Sequence, residues 1–347
     1  MKRKLFLAAI FLILCVTRAQ SQSFSTWADD YFTQVVPKGN FRGVVLVRKE
    51  SKVFFEKGFG LAVDEWNIPN NPDSIFEIAS LTKQFTAAAI LQLFDSGKIK
   101  LTDPVKKYYQ DAPESWSAIT IHHLLTHTSG IPNNDLSNYT KGICVSYSTD
   151  ELIKTFKDRP LAFTPGTKWA YTNTEYYLLA YIIEKVSGEG YADYLRHHIF
   201  IPLGMKNSGF ASTVAVVPQM VDGYTHDNNV LRHRDYFDRS LELGAGGIHT
   251  NLQDLVKWNK ALDVPGFLSG DSLKLMFTPH PPGDYGYGWF VQEKPRLKAF
   301  HEGNDPGFAA FEIRYPKEHV LIVVLANEDD APVREVAESL AKQLLGE

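Results

Sequence analysis

The 347-residue sequence carries 36 basic and 40 acidic side chains, a net charge of -4, and is 44% hydrophobic. That balance excludes an electrostatic pull toward nucleic acid or anionic membrane, and the length allows one large or two intimate domains with a substantial core.

The first element is a leader. Lys2, Arg3 and Lys4 precede Leu5 to Val16, twelve uncharged and mostly apolar residues, and Ala19 follows at a cleavage point. This is the pattern of a secretory signal peptide over 1–19, too short for a comfortable membrane span. Its loss removes Lys2, Arg3, Lys4 and Arg18 but no acidic residue, taking the net charge from -4 to -8. The expected location is periplasmic or secreted. Cys15 offers lipoprotein anchoring as a second reading, which the bulky Leu14 before it disfavours. Only Cys144 remains in the mature chain, so no intramolecular disulfide is expected.

Residues 41–60, FRGVVLVRKESKVFFEKGFG, hold two β-rich runs around the polar turn Lys49 to Lys52, a hairpin signal. Ser74 to Ala79 reads as extended. From Ser80 to about Leu262 the pattern is mainly helical, with one helix over Ser80 to Ser96 stopped by Gly97 and another over Asn173 to Val186 stopped near Gly188. Beyond Tyr285 strands return in YGYGWFV, AAFEIRY and VLIVVLA, and an amphipathic helix closes the chain over about 331–345. This order predicts an α+β fold: one antiparallel sheet from both chain ends, flanked by helices, with a helical lobe inserted. The catalytic domain would span 20–347, with an α/β lobe at about 20–79 and 263–347 and a mainly helical lobe at about 80–262. A cleft between the lobes is the natural place for a site.

Three short motifs carry chemistry: Ser80-Leu-Thr-Lys83, Tyr171-Thr-Asn173 and His301-Glu-Gly303. A serine hydroxyl needs a neighbour to take its proton, and residues three apart on a helix share a face, so Lys83 would sit beside Ser80. A serine in the first helical turn also has free backbone N–H groups and the positive dipole end nearby. The pattern recurs at Ser339-Leu-Ala-Lys342, late in the terminal helix, where that setting is missing. Tyr171 could move a proton, given cations such as Lys83 to stabilise its phenolate. Asn173 offers both a donor and an acceptor. Taken singly, Ser80 and Asn173 read equally well as helix caps.

Together with ITIHHLLTHTSGIP (119–132), FTPGTKWAYTN (163–173), PLGMKNS (202–208), GAGGIHTNLQDLVKW (244–258) and YGYGW (285–289), these motifs resemble the serine β-lactamase-related family. That family includes class C β-lactamases, D-Ala-D-Ala carboxypeptidases, esterases and amidases. The resemblance implies a β-lactamase/transpeptidase-like fold and an acyl-Ser80 intermediate formed on a small-molecule or peptide substrate. It implies Lys83 as activating partner, Tyr171 as general base and acid, Asn173 as a substrate and Lys83 contact, and His301 and Gly303 on the strand beside the cleft. The N–H groups of Ser80 and Asn304 would form the oxyanion hole. No metal or organic cofactor is implied.

The family's usual Lys-Thr-Gly is here His301-Glu302-Gly303. His301 is only partly charged near neutral pH; Glu302 would repel a substrate carboxylate if it faces the cleft, and strand alternation equally allows it to point away. An ester or amide without an adjacent carboxylate is therefore expected, with weak or absent β-lactamase activity. A true β-lactamase or carboxypeptidase, and a non-catalytic binding member of the fold, are the alternatives. His123 and His127 have zinc-compatible helical spacing but no H-E-x-x-H pattern. GAGGIHT reads as a tight turn beside the cleft, and Tyr285, Tyr287 and Phe308 as either an acyl pocket or a packed sheet face. Arg232, Arg234 and Arg239 are either an anion site or surface charges.

Overall fold

A computed structural model describes residues 22–34, 41–134, 142–211, 214–228 and 230–346. The leader, its cleavage point and Cys15 lie outside the described residues. Helix α1 (22–34) precedes the hairpin of β1 (Gly43–Lys49) and β2 (Lys52–Phe59). Helices α2 (Thr82–Asp95), α3 (Asn173–Ser187) and α4 (Leu252–Ala261) dominate the middle. Strands β3 (Phe290–Gln292), β4 (Lys298–Asp305), β5 (Phe308–Tyr315) and β6 (Val320–Ala326) follow, and α5 (Val333–Leu345) closes the chain.

The strands form one antiparallel sheet in the order β3-β4-β5-β6-β1-β2. Pairing of Gly43 with Ala326 and Lys49 with Val320 joins the two chain ends. Successive side chains on a strand face opposite ways, and here both faces are covered. Val45 and Val47 pack with Phe311, Ile322 and Val324 under α1 and α5, around Phe32, Val336 and Leu340. Val44 and Leu46 face the larger core with Ala310, Val323 and Leu325, against the helical middle. Two covered faces explain why VLIVVLA is apolar throughout.

Helix α2 crosses this core and is buried along most of its length. Two of its polar residues are satisfied there: Thr86 Oγ1 donates to the Gly244 carbonyl at 2.7 Å, and Gln84 accepts from Trp258 Nε1 at 2.8 Å. Among the described residues, no helix is long and apolar enough to cross a membrane.

Several elements differ from the sequence reading. Ser80 does not open the α-helix; it sits in a 3-10 turn, Ala79–Leu81, that feeds α2. The cap of α3 is Thr172, whose side chain accepts from the Thr174 N–H, so Asn173 is free for another role. YGYGWFV is a strand only at its end, because Gly288 turns at φ +77° and lies against the Lys83 and Gln84 backbone, where a β-carbon would clash. The aromatics of that stretch and Phe308 are buried core: Tyr285, Tyr287, Trp289 and Phe308 are all at most 1% exposed. A hairpin, Tyr224–Asp227 with Val230–His233, interrupts the region read as helical.

Candidate active site

Ala79 holds φ +46°, a left-handed backbone that costs a residue with a β-carbon about 1 kcal/mol or more. This strained turn presents Ser80, half-buried, at the mouth of α2. Strand β4 packs against the same turn. Gly303 permits that approach: a β-carbon there would lie 2.4 Å from the Ile78 carbonyl oxygen and 3.1 Å from the Ser80 nitrogen. Strand β3 pairs only with Lys298 to Phe300, so His301 to Asp305 carry an edge without a strand partner among the described residues.

Lys83 is fully buried, and its Nζ lies 3.0 Å from Ser80 Oγ, 2.8 Å from Asn173 Oδ1 and 2.8 Å from the Ala245 carbonyl oxygen. Burial drives its pKa down to about 7, against the opposing pull of Asp305, Glu242 and Glu175. The Tyr171 side chain lies beside Ser80, and its ring centroid is 4.8 Å from Lys83 Nζ. Burial pushes the Tyr171 pKa upward. Burial thus favours the neutral amine at Lys83 and the protonated phenol at Tyr171.

His301 is buried, with Nδ1 2.7 Å from the Glu302 carbonyl oxygen and Nε2 2.9 Å from the Tyr285 hydroxyl. A carbonyl only accepts, so Nδ1 carries the proton and Nε2 accepts from Tyr285. Burial first, then Lys83, pushes the His301 pKa down to about 3, so the ring is neutral. Glu302 points the other way. It pairs across the sheet with Phe311, on the face under α5, and its carboxylate lies 3.7 Å from the Arg334 guanidinium. The proposed repulsion of a substrate carboxylate by Glu302 therefore has no geometric basis. Asn304 sits on the exposed edge of β4, its side chain donating to the Asp329 carbonyl at 2.6 Å.

Other readings are also corrected. The helix Ile121–Leu125 stops before His127, which takes φ +58°, so His123 and His127 do not share a helical face. Arg234 holds Glu77 in a two-pronged pair at 2.7 and 2.9 Å, and Arg239 pairs with the same carboxylate and with Glu242 at 3.1 Å. Neither is free to hold an anion. Arg232 pairs with Asp235 at 2.9 Å on the surface. The GAGG segment is a tight turn, with Gly244 and Gly247 at positive φ. Its Ala245 carbonyl is a Lys83 partner that no side-chain motif could announce. A pocket of about 330 Å³ opens beside Asn173, lined by Ile143, Tyr177, Phe237, Leu241 and Glu242. These residues, too, lie outside the motifs.

A family model described as Beta-lactamase matches residues 28–346. PbpX of Bacillus subtilis (strain 168), which carries a penicillin-binding-protein name, is 34% identical over 287 residues, 83% of this chain and 71% of that protein. The octameric penicillin-binding protein homologue from Pyrococcus abyssi superposes with a TM-score of 0.84 at 27% identity, over 93% of this chain and 77% of that one. The D-amino acid amidase from Ochrobactrum anthropi SV3, solved with D-phenylalanine, shares the fold at a TM-score of 0.81 and 22% identity, over 94% of this chain and 99% of that one. The chain belongs to the Beta-lactamase family, whose members are serine hydrolases.

Proposed function

We propose that this chain is an exported hydrolase that cleaves an ester or amide through an acyl-Ser80 intermediate. The observation that carries the reading is the set of partners around Lys83 Nζ. A neutral amine has two N–H groups and one lone pair. Here two carbonyl oxygens, of Asn173 and Ala245, accept the N–H groups, and the Ser80 hydroxyl faces the lone pair. Ser80 then donates to Lys83, with the Tyr171 side chain beside it. When Ser80 attacks the substrate carbonyl, its proton passes to Lys83 and the Tyr171 hydroxyl protonates the leaving group. Water reverses these transfers to free the acid. The Ser80 and Asn304 N–H groups stabilise the oxyanion, and the contact of Gly303 with the Ser80 nitrogen supports their convergence. The leader pattern at Lys2 to Ala19 supports export, leaving a catalytic unit of 20–347.

The preference for substrates without an adjacent carboxylate rests on different grounds from those the sequence suggested. His301 is neutral where the Lys-Thr-Gly version of the motif places a lysine, and Arg234 and Arg239 are already paired. No free cation among these residues remains to hold a carboxylate. The apolar pocket beside Asn173 suits an acyl side chain. A burst of nitrophenol from p-nitrophenyl butyrate, stoichiometric with enzyme and absent in Ser80→Ala, tests the acyl-enzyme. A steady linear release without a Ser80 requirement would overturn it. The penicillin-binding names of the relatives favour a second reading, turnover of D-Ala-D-Ala peptides or β-lactams. Nitrocefin hydrolysis at rates matching those of the ester would establish it.

A further inference from the structure

His127 is fully buried and serves neither Ser80 nor Lys83 through any hydrogen bond among the described residues. It nevertheless touches each residue from 170 to 172. Its carbonyl accepts the Ala170 N–H at 3.0 Å. Its ring centroid lies 4.5 Å from that of Tyr171, at an interplanar angle of 44°. The Thr172 N–H points at Nδ1 from 3.4 Å. The left-handed backbone of His127 is sterically costly and persists only where its surroundings fix it.

Glu175 does much of that fixing. Its Oε2 lies 2.5 Å from His127 Nδ1, and its Oε1 accepts the Ser129 N–H at 3.1 Å. Glu175 sits in the first turn of α3, two residues after Asn173. The pair thus ties the segment 127–129 to the start of the helix that carries the Lys83 acceptor. One proton is shared between Glu175 and Nδ1, and Nε2 has no hydrogen-bond partner among the described residues. Burial pushes Glu175 up and His127 down, which fits an uncharged pair.

Tyr171 needs such support. It lies just before α3, half-buried, with Phe290 stacked 6.4 Å away and Lys83 at 4.8 Å from its ring. We infer that His127, locked by Glu175, is a positioning residue for Tyr171, holding the phenol beside Ser80 so that it can protonate the leaving group. The inference rests on the proton-donor reading of Tyr171 given above.

Two esters with one acyl group separate this role from general stability. The nitrophenolate of p-nitrophenyl butyrate departs without a proton, whereas the methoxide of methyl butyrate requires one. Values of kcat/KM report the acylation step for both. Tyr171→Phe sets the reference, with methyl ester turnover falling ~1000-fold and nitrophenyl ester turnover ~10-fold. His127→Leu is expected to show the same split, ~100-fold against under ~5-fold, as displacement of a proton donor by about 1 Å would cause.

His127→Asn keeps a hydrogen-bond partner for Glu175 and tolerates positive φ, so it serves as the second variant should the leucine variant fail to fold, and it should open a split of ~10-fold through loss of the ring contact. Glu175→Gln should restore most of what Glu175→Leu loses. A split in Tyr171→Phe with none in the folded His127 variants, or equal losses on both esters, would overturn the inference. No split in Tyr171→Phe would remove the proton-donor reading and the inference with it, while leaving the Ser80 burst intact.

Discussion

Lys83 Nζ stands 3.0 Å from Ser80 Oγ inside a fully buried setting, with both remaining amine positions facing carbonyl oxygens. The distance makes proton transfer possible, and the burial gives it direction. An ammonium there finds three acceptors but is penalised by desolvation, so burial favours the amine.

With the Lys83 pKa at about 7, the acylating form grows as pH rises through that value. For an uncharged ester, kcat/KM should climb about tenfold per unit below pH ~7 and flatten above it. Lys83→Arg keeps a cation that cannot be deprotonated and should lose at least ~1000-fold. A flat pH profile between 5 and 8 would show that the amine is not the base.

Gly303 brings β4 against the backbone of the nucleophile turn. Gly303→Ala sets a β-carbon against the Ile78 carbonyl, and backbone cannot move aside as a flexible side chain can. The expected cost is ~1–3 kcal/mol of stability. Ester turnover should fall at least ~100-fold through displacement of Ser80. Thermal unfolding and kcat/KM measured on one preparation check both.

Glu312 lies fully buried behind α2, accepting from Gln84 Nε2 at 3.2 Å and from Asn259 Nδ2. Burial raises its carboxyl from 4.5 to about 7. Between those values the folded state keeps a proton that the unfolded chain releases, so stability falls as pH rises through that window. Glu312→Gln carries no such proton. Its stability relative to wild type should improve by roughly 2–3 kcal/mol between pH 4.5 and pH 8. Urea titrations at the two pH values measure the change, and a constant difference would mean that Glu312 is ionised in the fold throughout.

Glu302 faces Arg334 across the sheet from the cleft, and both side chains are 48% exposed. Glu302→Thr should therefore alter turnover of a carboxylate-bearing depsipeptide by less than about twofold, and stability by less than ~1 kcal/mol. A large gain in turnover would place the side chain in the cleft after all.

The sequence made Ser80, Lys83, Tyr171, Asn173, His301 and Gly303 legible because each is a distinctive residue type in a short motif. The same holds for the long apolar runs, where two covered sheet faces and a buried α2 leave little ambiguity. What stayed hidden depends on tertiary neighbours. The Ala245 carbonyl is a backbone atom, invisible to any residue pattern. Arg234 looked free because its partner, Glu77, is 157 positions away in the chain. His123 and His127 looked like one helical face because nothing local announces that the helix stops at Leu125. The alternating aromatics of YGYGWFV imitate a strand, yet Gly288 turns against α2 and buries them. Which way Glu302 faces was open, because sequence alone does not phase strand alternation.

The central claim is that Ser80, and not the second serine of the same pattern, is the activated nucleophile. Ser339 lies in α5, half-buried beside the core-facing Leu340. Intact-mass analysis after fluorophosphonate treatment of wild type, Ser80→Ala and Ser339→Ala tests it directly. One adduct on wild type and Ser339→Ala, absent from Ser80→Ala, is the predicted result. An adduct that survives Ser80→Ala, or none on folded wild type, would contradict the account.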